Sequence, residues 1–173
     1  MPPARRSLGA MADAYLPDNL PAGTVIAAVT VVMSDGSTFI GALSAEPADL
    51  VTTAGMNLVL ARALTPADGG ADTWEVTATQ DGYSATATLD VEIIPIPILV
   101  EFDPPTAELP DNAQAGTPIA TVAVTMSDGS PFAGSLNASP AGLVRMDDYE
   151  LVTARALTPA DVGNQTFTVT TAP

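Results

Sequence analysis

The sequence predicts an all-β protein made of two tandem β-sandwich domains, on the basis of a repeat, a residue alternation and recurrent turns. The phrase ARALTPAD at residues 61–68 returns unchanged at 154–161, and a shift of 93 aligns residues 16–80 with 109–173 at 38 identical positions of 65. This period is too long for a solenoid unit and close to the size of one β-sandwich domain. We therefore predict a duplicated domain rather than one large domain.

Segments in which apolar and polar residues alternate predict the strands. In residues 85–94, Ala87, Leu89 and Val91 share one face while Thr88 lies on the other, which is the period of a half-buried strand. No stretch of ten or more residues has the apolar spacing of a helix. The predicted strands are 24–32, 38–43, 58–63, 74–79 and 85–94 in the first copy and 117–125, 132–136, 151–156 and 166–171 in the second.

Two kinds of turn recur in both copies. Gly36 and Gly129 each follow an aspartate between predicted strands, and glycine accepts the positive φ that hairpin turns require, so both are predicted hairpin tips. In the phrase LTPAD, Thr65 can cap a turn that begins at Pro66, with Asp68 near its exposed amides. We expect this phrase to form a one-turn corner at which the chain crosses from one sheet to the other.

The second copy lacks one predicted strand. The equivalent of strand 85–94, shifted by 93, would fall at 178–187, beyond residue 173. We therefore expect an exposed sheet edge beside residues 166–171, either because the sequence begins a longer protein or because a neighbouring subunit supplies the strand. The predicted organisation is a flexible arm at 1–13, repeat 1 at 14–94, a proline-rich and extended linker at 95–105, and repeat 2 at 106–173.

The composition excludes several classes of function. The 20 acidic residues face five basic ones, and the net charge of −15 should repel nucleic acid and anionic lipid. Cysteine, histidine and lysine are absent, which removes disulfides, thiolate and imidazole metal sites and Schiff bases. We expect a protein that is not an enzyme, with no cofactor. No secretory signal is recognisable, and the longest apolar run, residues 93–100, is too short to span a bilayer.

The motifs resemble those of known surface proteins. The phrase PDNLPAGTVIAAVTV is similar to the start of a cadherin-type repeat, and VTATQDGYSATATLDVEI to its last two strands, while LTPADxG is similar to the corner before the penultimate strand of immunoglobulin domains. Each copy thus resembles the cadherin-like and immunoglobulin-like β-sandwich repeats of bacterial and bacteriophage surface proteins. The resemblance implies a structural or adhesive role. Cadherins hold calcium in an acidic linker, but the joint here has only Glu101 and Asp103, so calcium is not expected there.

Repeated polar residues are the candidate sites, and each has two interpretations. Carboxylate and amide oxygens could bind calcium if the loops gathered them, or they could serve turns and caps. Arg62 and Arg155 could form structural ion pairs or clamp a ligand carboxylate. Trp74 and Phe167 could be core anchors or platforms for a sugar ring. The calcium candidates are Asp18, Asn19, Asp35 and Asp68 in the first copy and Asp111, Asn112, Asp128 and Asp161 in the second.

Candidate partner contacts lie at the two ends of the sequence. Arg5 and Arg6 could dock the amino-terminal arm on an acidic partner or belong to a solvated terminus. Thr166, Thr168 and Thr170 lie on the strand next to the expected open edge, where another chain could pair.

These observations predict a non-enzymatic structural or adhesive protein of a bacteriophage virion surface. It would be a head-decoration or tail component, assembled in the host cytoplasm as part of an oligomer and contacting other virion subunits or a host-surface glycan. One alternative is a bacterial cell-surface adhesin or spacer fragment with an extracellular location. The other is a carbohydrate-binding module of a larger hydrolase.

Overall fold

Strands dominate the computed structural model, which describes residues 7–8 and 13–172. The chain divides into two compact units, Met1–Ile96 and Pro97–Pro173. Apart from two one-turn 3₁₀ helices, Pro66–Asp68 and Pro159–Asp161, the regular elements among the described residues are all β-strands. The predicted all-β class is therefore confirmed.

Unit 1 consists of two sheets and one short strand pair. The larger sheet has the order β2-β9-β8-β5, the smaller one β3-β7-β6, and β1 pairs with β4. β2 runs parallel to β9, and the other neighbours are antiparallel. The strands are β1 Ser7–Leu8, β2 Ala14–Pro17, β3 Val25–Ala28, β4 Val31–Val32, β5 Ala42–Glu46, β6 Val51–Ala54, β7 Asn57–Leu60, β8 Gly70–Gln80 and β9 Tyr83–Ile94.

The long hairpin of β8 and β9 forms the centre of the larger sheet. Its turn residues Asp81 and Gly82 have positive φ angles of 52° and 76°, the conformation that joins twisted antiparallel strands with two residues. On the inner face, Trp74 of β8 and Leu89 of β9 are opposite each other and are 0% and 2% exposed. Both sheets contribute side chains to this core, which includes Leu58 from β7. Unit 1 is thus a two-layer sandwich.

Unit 2 repeats this plan with fewer strands. One sheet has the order β10-β11-β14-β13, and the second contains only the antiparallel pair β12 and β15. Its buried core residues are Val122, Val144, Leu151 and Val169, from both sheets. The strands are β10 Pro97–Asp103, β11 Pro118–Met126, β12 Ser135–Ser139, β13 Val144–Asp147, β14 Glu150–Thr153 and β15 Thr168–Ala172.

Part of the predicted linker, residues 95–105, is a strand. Pro97–Asp103 forms β10, which pairs antiparallel with β11 at the edge of a sheet in unit 2. The segment is extended, as predicted, but it belongs to the fold of unit 2. The positions of the prolines are compatible with this strand, because Pro97 begins it and Pro104 follows it. Neither proline removes a hydrogen-bond donor from the middle of the β10–β11 ladder.

The Ser-Asp-Gly-Ser turns form, but they are not hairpin tips. Gly36 and Gly129 have the predicted positive φ, 75° and 76°. However, the strand before the first turn, β4, pairs with β1, and the strand after it, β5, pairs with β8. The hairpin prediction is therefore wrong, because these turns carry the chain from one sheet to another. β2, β6 and β13, the equivalent of β6, are not among the predicted strands.

The predicted amino-terminal arm, residues 1–13, lies largely outside the described residues. Ser7–Leu8 pairs with Val31–Val32, so this part of the predicted arm is a strand. Arg5 and Arg6, the candidate docking residues, lie outside the described residues.

Candidate functional site

The repeated corner is built around an arginine-aspartate pair. Arg62 donates from Nη1 to Oδ2 of Asp68 at 2.8 Å and from Nη2 to Oδ1 at 2.6 Å, while the Thr65 backbone N–H and hydroxyl donate to the same carboxylate at 2.9 and 2.8 Å. A bidentate guanidinium-carboxylate pair fixes orientation as well as charge. The corner links β7 of one sheet to β8 of the other, as predicted.

Unit 2 repeats the corner with the same atoms. Arg155 contacts Asp161 at 2.9 and 2.6 Å, and Thr158 donates its backbone N–H and hydroxyl at 2.8 and 2.9 Å. Hydrogen bonds from the arginine, helped by those from the threonine, hold the pKa values of Asp68 and Asp161 well below the usual range. The structural ion-pair interpretation of Arg62 and Arg155 is confirmed.

The other repeated aspartates of the loops also serve turns. Asp35 Oδ1 accepts hydrogen bonds from the Ser37 backbone N–H and hydroxyl at 3.0 and 2.7 Å. Asp128 accepts from the Ser130 backbone N–H at 2.9 Å, and its hydrogen bonds with Ser130 lower its pKa. These are the local side-chain-to-backbone bonds that favour aspartate in turns.

The remaining calcium candidates differ between the units. Asp18 is 2% exposed, and its backbone N–H donates to the Ile94 carbonyl at 3.1 Å. Its equivalent Asp111 is exposed, as are Asn19 and Asn112. In the described part of the chain, no three acidic side chains form a group that could hold a metal ion. Calcium binding by the candidate residues stays an alternative interpretation, beside the turn and cap roles of Asp35, Asp68, Asp128 and Asp161.

An open groove in unit 2 is a departure from the repeat. Its volume is about 910 Å³, and residues 104–109 and 161–167, which directly precede β15 in the chain, line it. We call this opening the strand groove. Its apolar lining includes Leu109, Ile119, Val144, Leu151, Leu157 and Phe167, which we call the wall residues.

The strand groove corresponds to a filled position in unit 1. Shifted by 93, its wall residues match Leu16, Ile26, Val51, Leu58, Leu64 and Trp74, which all belong to the core of unit 1. There they pack in one cluster with Leu89, Val91 and Ile93 of β9. The groove is therefore the place that β9 takes in the first copy.

The backbone beside the groove lacks regular structure. In unit 1, β5 pairs with β8 from Glu75 to Thr79. Residues 70–74 of β8 therefore pair with β9 alone. The equivalent residues, 163–167, form no strand, and β15 begins at Thr168. Of the candidate contact residues, Thr166 lines the groove, while Thr168 and Thr170 are exposed on β15 and are not among the residues that line it.

The sequence predicts the open edge but not the apolar groove next to it. Of the two aromatic residues that could be core anchors or sugar platforms, Trp74 is fully buried, whereas Phe167 is half-buried at the groove wall. Trp74 is therefore a core residue and presents no face to a sugar ring. Leu109 and Leu157 were not singled out. Their alignment with Leu16 and Leu64, which pack on β9, was the signal that could have identified them.

None of the helical segments among the described residues has the length and apolar composition needed to span a lipid bilayer. No protein-family model matches the chain, and no curated protein matches it.

Several solved structures are similar to the chain. Human protocadherin-24 EC1-2 gives a TM-score of 0.48 at 15% identity and covers 97% of this chain and 93% of its own. Drosophila N-cadherin EC1-4 gives 0.46 at 22% identity, covering 92% and 42%. Protocadherin Gamma B7 extracellular cadherin domains 1-4 give 0.45 at 15% identity, covering 97% and 48%. The chain spans less than half of the last two structures.

Proposed function

We propose that the chain is a non-enzymatic structural or adhesive protein whose β units hold other proteins. One observation carries this proposal: the polar side chains repeated at the corners and turns are used by the fold. Arg62 and Asp68 fix a corner, Asp35 closes a turn, and their equivalents do the same in unit 2. A duplicated reaction centre would instead keep an acid, a base or a nucleophile available to a substrate.

We further propose that this protein belongs to the surface of a bacteriophage virion, as a head-decoration or tail component within an oligomeric assembly. The strongly acidic composition supports a role apart from the packaged nucleic acid, which it would repel. The resemblance of the repeated phrases to surface-protein repeats supports the same assignment. Other virion subunits would be its partners, with a host-surface glycan as a second candidate.

Location in purified particles tests the virion proposal. An antibody raised against the chain should label intact, gradient-purified phage particles in immunogold microscopy, and particles from a phage that lacks the gene are the control. Labelling of purified host cell walls without any labelling of particles would contradict the virion proposal and favour a bacterial surface adhesin or spacer. Hydrolysis of a host glycan by the purified chain would contradict the non-enzymatic role itself.

A further inference from the structure

We propose that Asp81 is a site of spontaneous covalent modification, at which the folded protein converts its own aspartate into isoaspartate. Asp81 and Gly82 form the turn of the β8–β9 hairpin, and both are exposed. This inference goes beyond the proposed function, since it concerns the covalent state of unit 1 and holds in any location of the protein.

The reaction needs the chain and water only. The main-chain nitrogen of the residue after an aspartate attacks the side-chain carbon Cγ. A C–N bond forms, and the carboxyl hydroxyl and the amide proton leave together as water, which gives a five-membered succinimide ring. Water then opens the ring at one of its two carbonyl carbons. Opening at Cγ restores aspartate, whereas opening at the main-chain carbonyl leaves the chain running through Cγ, as isoaspartate. Nothing is oxidised or reduced.

The attacking nitrogen distinguishes Asp81 from three similar sites. Aspartate precedes glycine at positions 35, 68, 81 and 128, and glycine has no Cβ atom to hinder the approach of its nitrogen. At the other three sites the glycine N–H already donates a hydrogen bond to the carbonyl three residues earlier, so its nitrogen can attack only after this bond breaks. These bonds join Gly36 to Met33 at 3.1 Å, Gly69 to Pro66 at 3.2 Å and Gly129 to Met126 at 3.1 Å.

The carboxylates at the same three sites are also held. The Ser37 and Ser130 backbone N–H groups donate to Asp35 and Asp128 at 3.0 and 2.9 Å, while Arg62 and Thr65 donate to Asp68. Such bonds favour the ionised form, and the pKa values of Asp68 and Asp128 are lowered. Ring closure needs the protonated carboxyl group, because water is the leaving group. These contacts therefore slow the reaction a second time.

The turn of the β8–β9 hairpin lacks the restraint on the nitrogen. Within the described part of the chain, the Gly82 N–H donates to no carbonyl oxygen and to no side chain. The Asp81 carboxylate accepts from Gln80 Nε2 at 3.3 Å, which is a long contact on an exposed loop and restrains the carboxylate little. Asp81 can therefore cyclise while the strands of unit 1 stay paired.

The product should loosen the tip of the hairpin. Isoaspartate adds one main-chain carbon to a turn of two residues, next to the last pair of the ladder, Gln80 and Tyr83. Gln80 Oε1 also accepts from the Ile40 backbone N–H at 3.0 Å, so the change reaches the segment before β5. Trp74 lies far along β8 from this turn, and its buried environment should stay unchanged.

Incubation in heavy-oxygen water tests the proposal, because each passage through the ring leaves one heavy oxygen atom in the product. The folded 173-residue chain would be held at about pH 5, where part of an ordinary aspartate population is protonated, and mapped by mass spectrometry of its peptides. Asp81 should take up at least about 10-fold more label than Asp35, Asp68 or Asp128, since each of these must first break hydrogen bonds. Equal labelling of the four sites, or no labelling of Asp81, would overturn the proposal.

The same chain unfolded in urea is the control for the role of the fold. Without the hydrogen bonds of the folded state, all four aspartates should take up label at similar rates. If Asp81 exceeded the others in urea as much as in the folded chain, its local sequence rather than the open turn would select it, and the proposal would be wrong.

Two variants confirm the site and its effect. Asp81→Gly keeps a residue that accepts positive φ and removes the carboxyl group, while Asp81→Asn should form the ring faster because it releases ammonia instead of water. In aged wild-type protein, hydrogen exchange should become faster at Ile40 and Tyr83, and aged Asp81→Gly should show no such change. Equal changes in the two aged proteins would contradict modification at Asp81, as would an Asp81→Asn variant that forms no isoaspartate.

Discussion

Asp68 and Asp161 explain why eight residues occur twice without change. Each carboxylate accepts two hydrogen bonds from an arginine and two from a threonine. Both corners carry the chain between sheets, so the same set of donors and acceptors is needed in each unit. Glutamate would be one methylene too long for this geometry, and lysine lacks the planar pair of donors that arginine provides.

Replacement of Asp68 by asparagine should destabilise unit 1 in a pH-dependent manner. The folded-state pKa of Asp68 lies below its ordinary value of 3.8, so its contribution to the free energy of unfolding is full above that pH. The contribution is lost as the pH falls through the folded-state pKa. Asp68→Asn should therefore lower the thermal midpoint of unit 1 at pH 7, and this difference should shrink below pH 3.8.

Asp49 offers a matched control for this prediction. It also faces Arg62, but at 4.0 Å and with its side chain 77% exposed, and exposed pairs of this kind contribute little. Asp49→Asn should leave the midpoint almost unchanged at every pH. If it has the same effect as Asp68→Asn, general charge reduction rather than the corner geometry would account for the loss.

At the scale of strands, the alternation of apolar and polar residues predicts where strands lie but not which strands pair with each other. Strand 85–94 was predicted almost as it occurs in β9, because a run with one apolar and one polar face is visible in the local sequence. β6 was missed because its four residues, VTTA, follow directly on a turn and are too few to show a period. Its strand identity depends on pairing with β7, which the local sequence does not reveal.

The residues of a turn likewise predict the backbone conformation of the turn but not whether the strands on either side of it pair. Asp35 and Gly36 form the expected turn because their hydrogen bond and positive φ are local properties. Whether the flanking strands pair with each other depends on β1 and β8, which are distant in sequence. β10 differs from its prediction for the same reason. Its prolines indicate a linker, but the segment pairs with β11, and this pairing is not visible in the local sequence.

Gly134 should tolerate no side chain, because it lies where β12 approaches the end of β15. A Cβ atom there would lie 2.6 Å from the Ala172 carbonyl oxygen and 2.6 Å from the Phe132 ring. Gly134→Ala should therefore cost about 1–3 kcal/mol of the free energy of unfolding of unit 2, measured by urea denaturation. Gly142→Ala, where a Cβ atom would meet nothing within 4 Å, is the control. Equal effects of the two substitutions would contradict this explanation.

At the scale of the whole molecule, the two units differ in the size of their cores. The main cluster of unit 1 contains twelve buried residues, three of them on β9, and that of unit 2 contains four. Unit 2 buries less apolar surface in part because Leu157 and Phe167 are only half-buried at the groove, whereas their equivalents Leu64 and Trp74 are buried. Since burial of apolar area is the main source of folding free energy, unit 2 should be the less stable unit.

Chemical denaturation should therefore proceed in two steps. Trp74 is the only tryptophan and lies in the core of unit 1, so its fluorescence reports unit 1 alone, while far-ultraviolet circular dichroism reports both units. The circular dichroism signal should begin to change at a lower urea concentration than the fluorescence. Coincident transitions would contradict a stability difference between the units.

The candidate site could be predicted from the sequence in outline only. The offset of 93 places the equivalent of β9 at 178–187, beyond residue 173, and so predicts an open edge beside residues 166–171 of the given sequence. The groove itself depends on how Leu109, Leu157 and Phe167 meet across two sheets. How these side chains pack together depends on the folded unit as a whole, and it cannot be predicted from the sequence of a single strand.

The excess of acidic residues should make the stability of the molecule depend on salt. Arg62, Arg145 and Arg155 each form an ion pair with an aspartate. The described arginines are therefore already paired, and the protein still has a net charge of −15. Mutual repulsion among the remaining carboxylates opposes compaction, and dissolved ions shorten its range to about 8–10 Å near physiological ionic strength. Added sodium chloride should therefore make both units harder to unfold, whereas a protein held together by exposed ion pairs would be weakened by it.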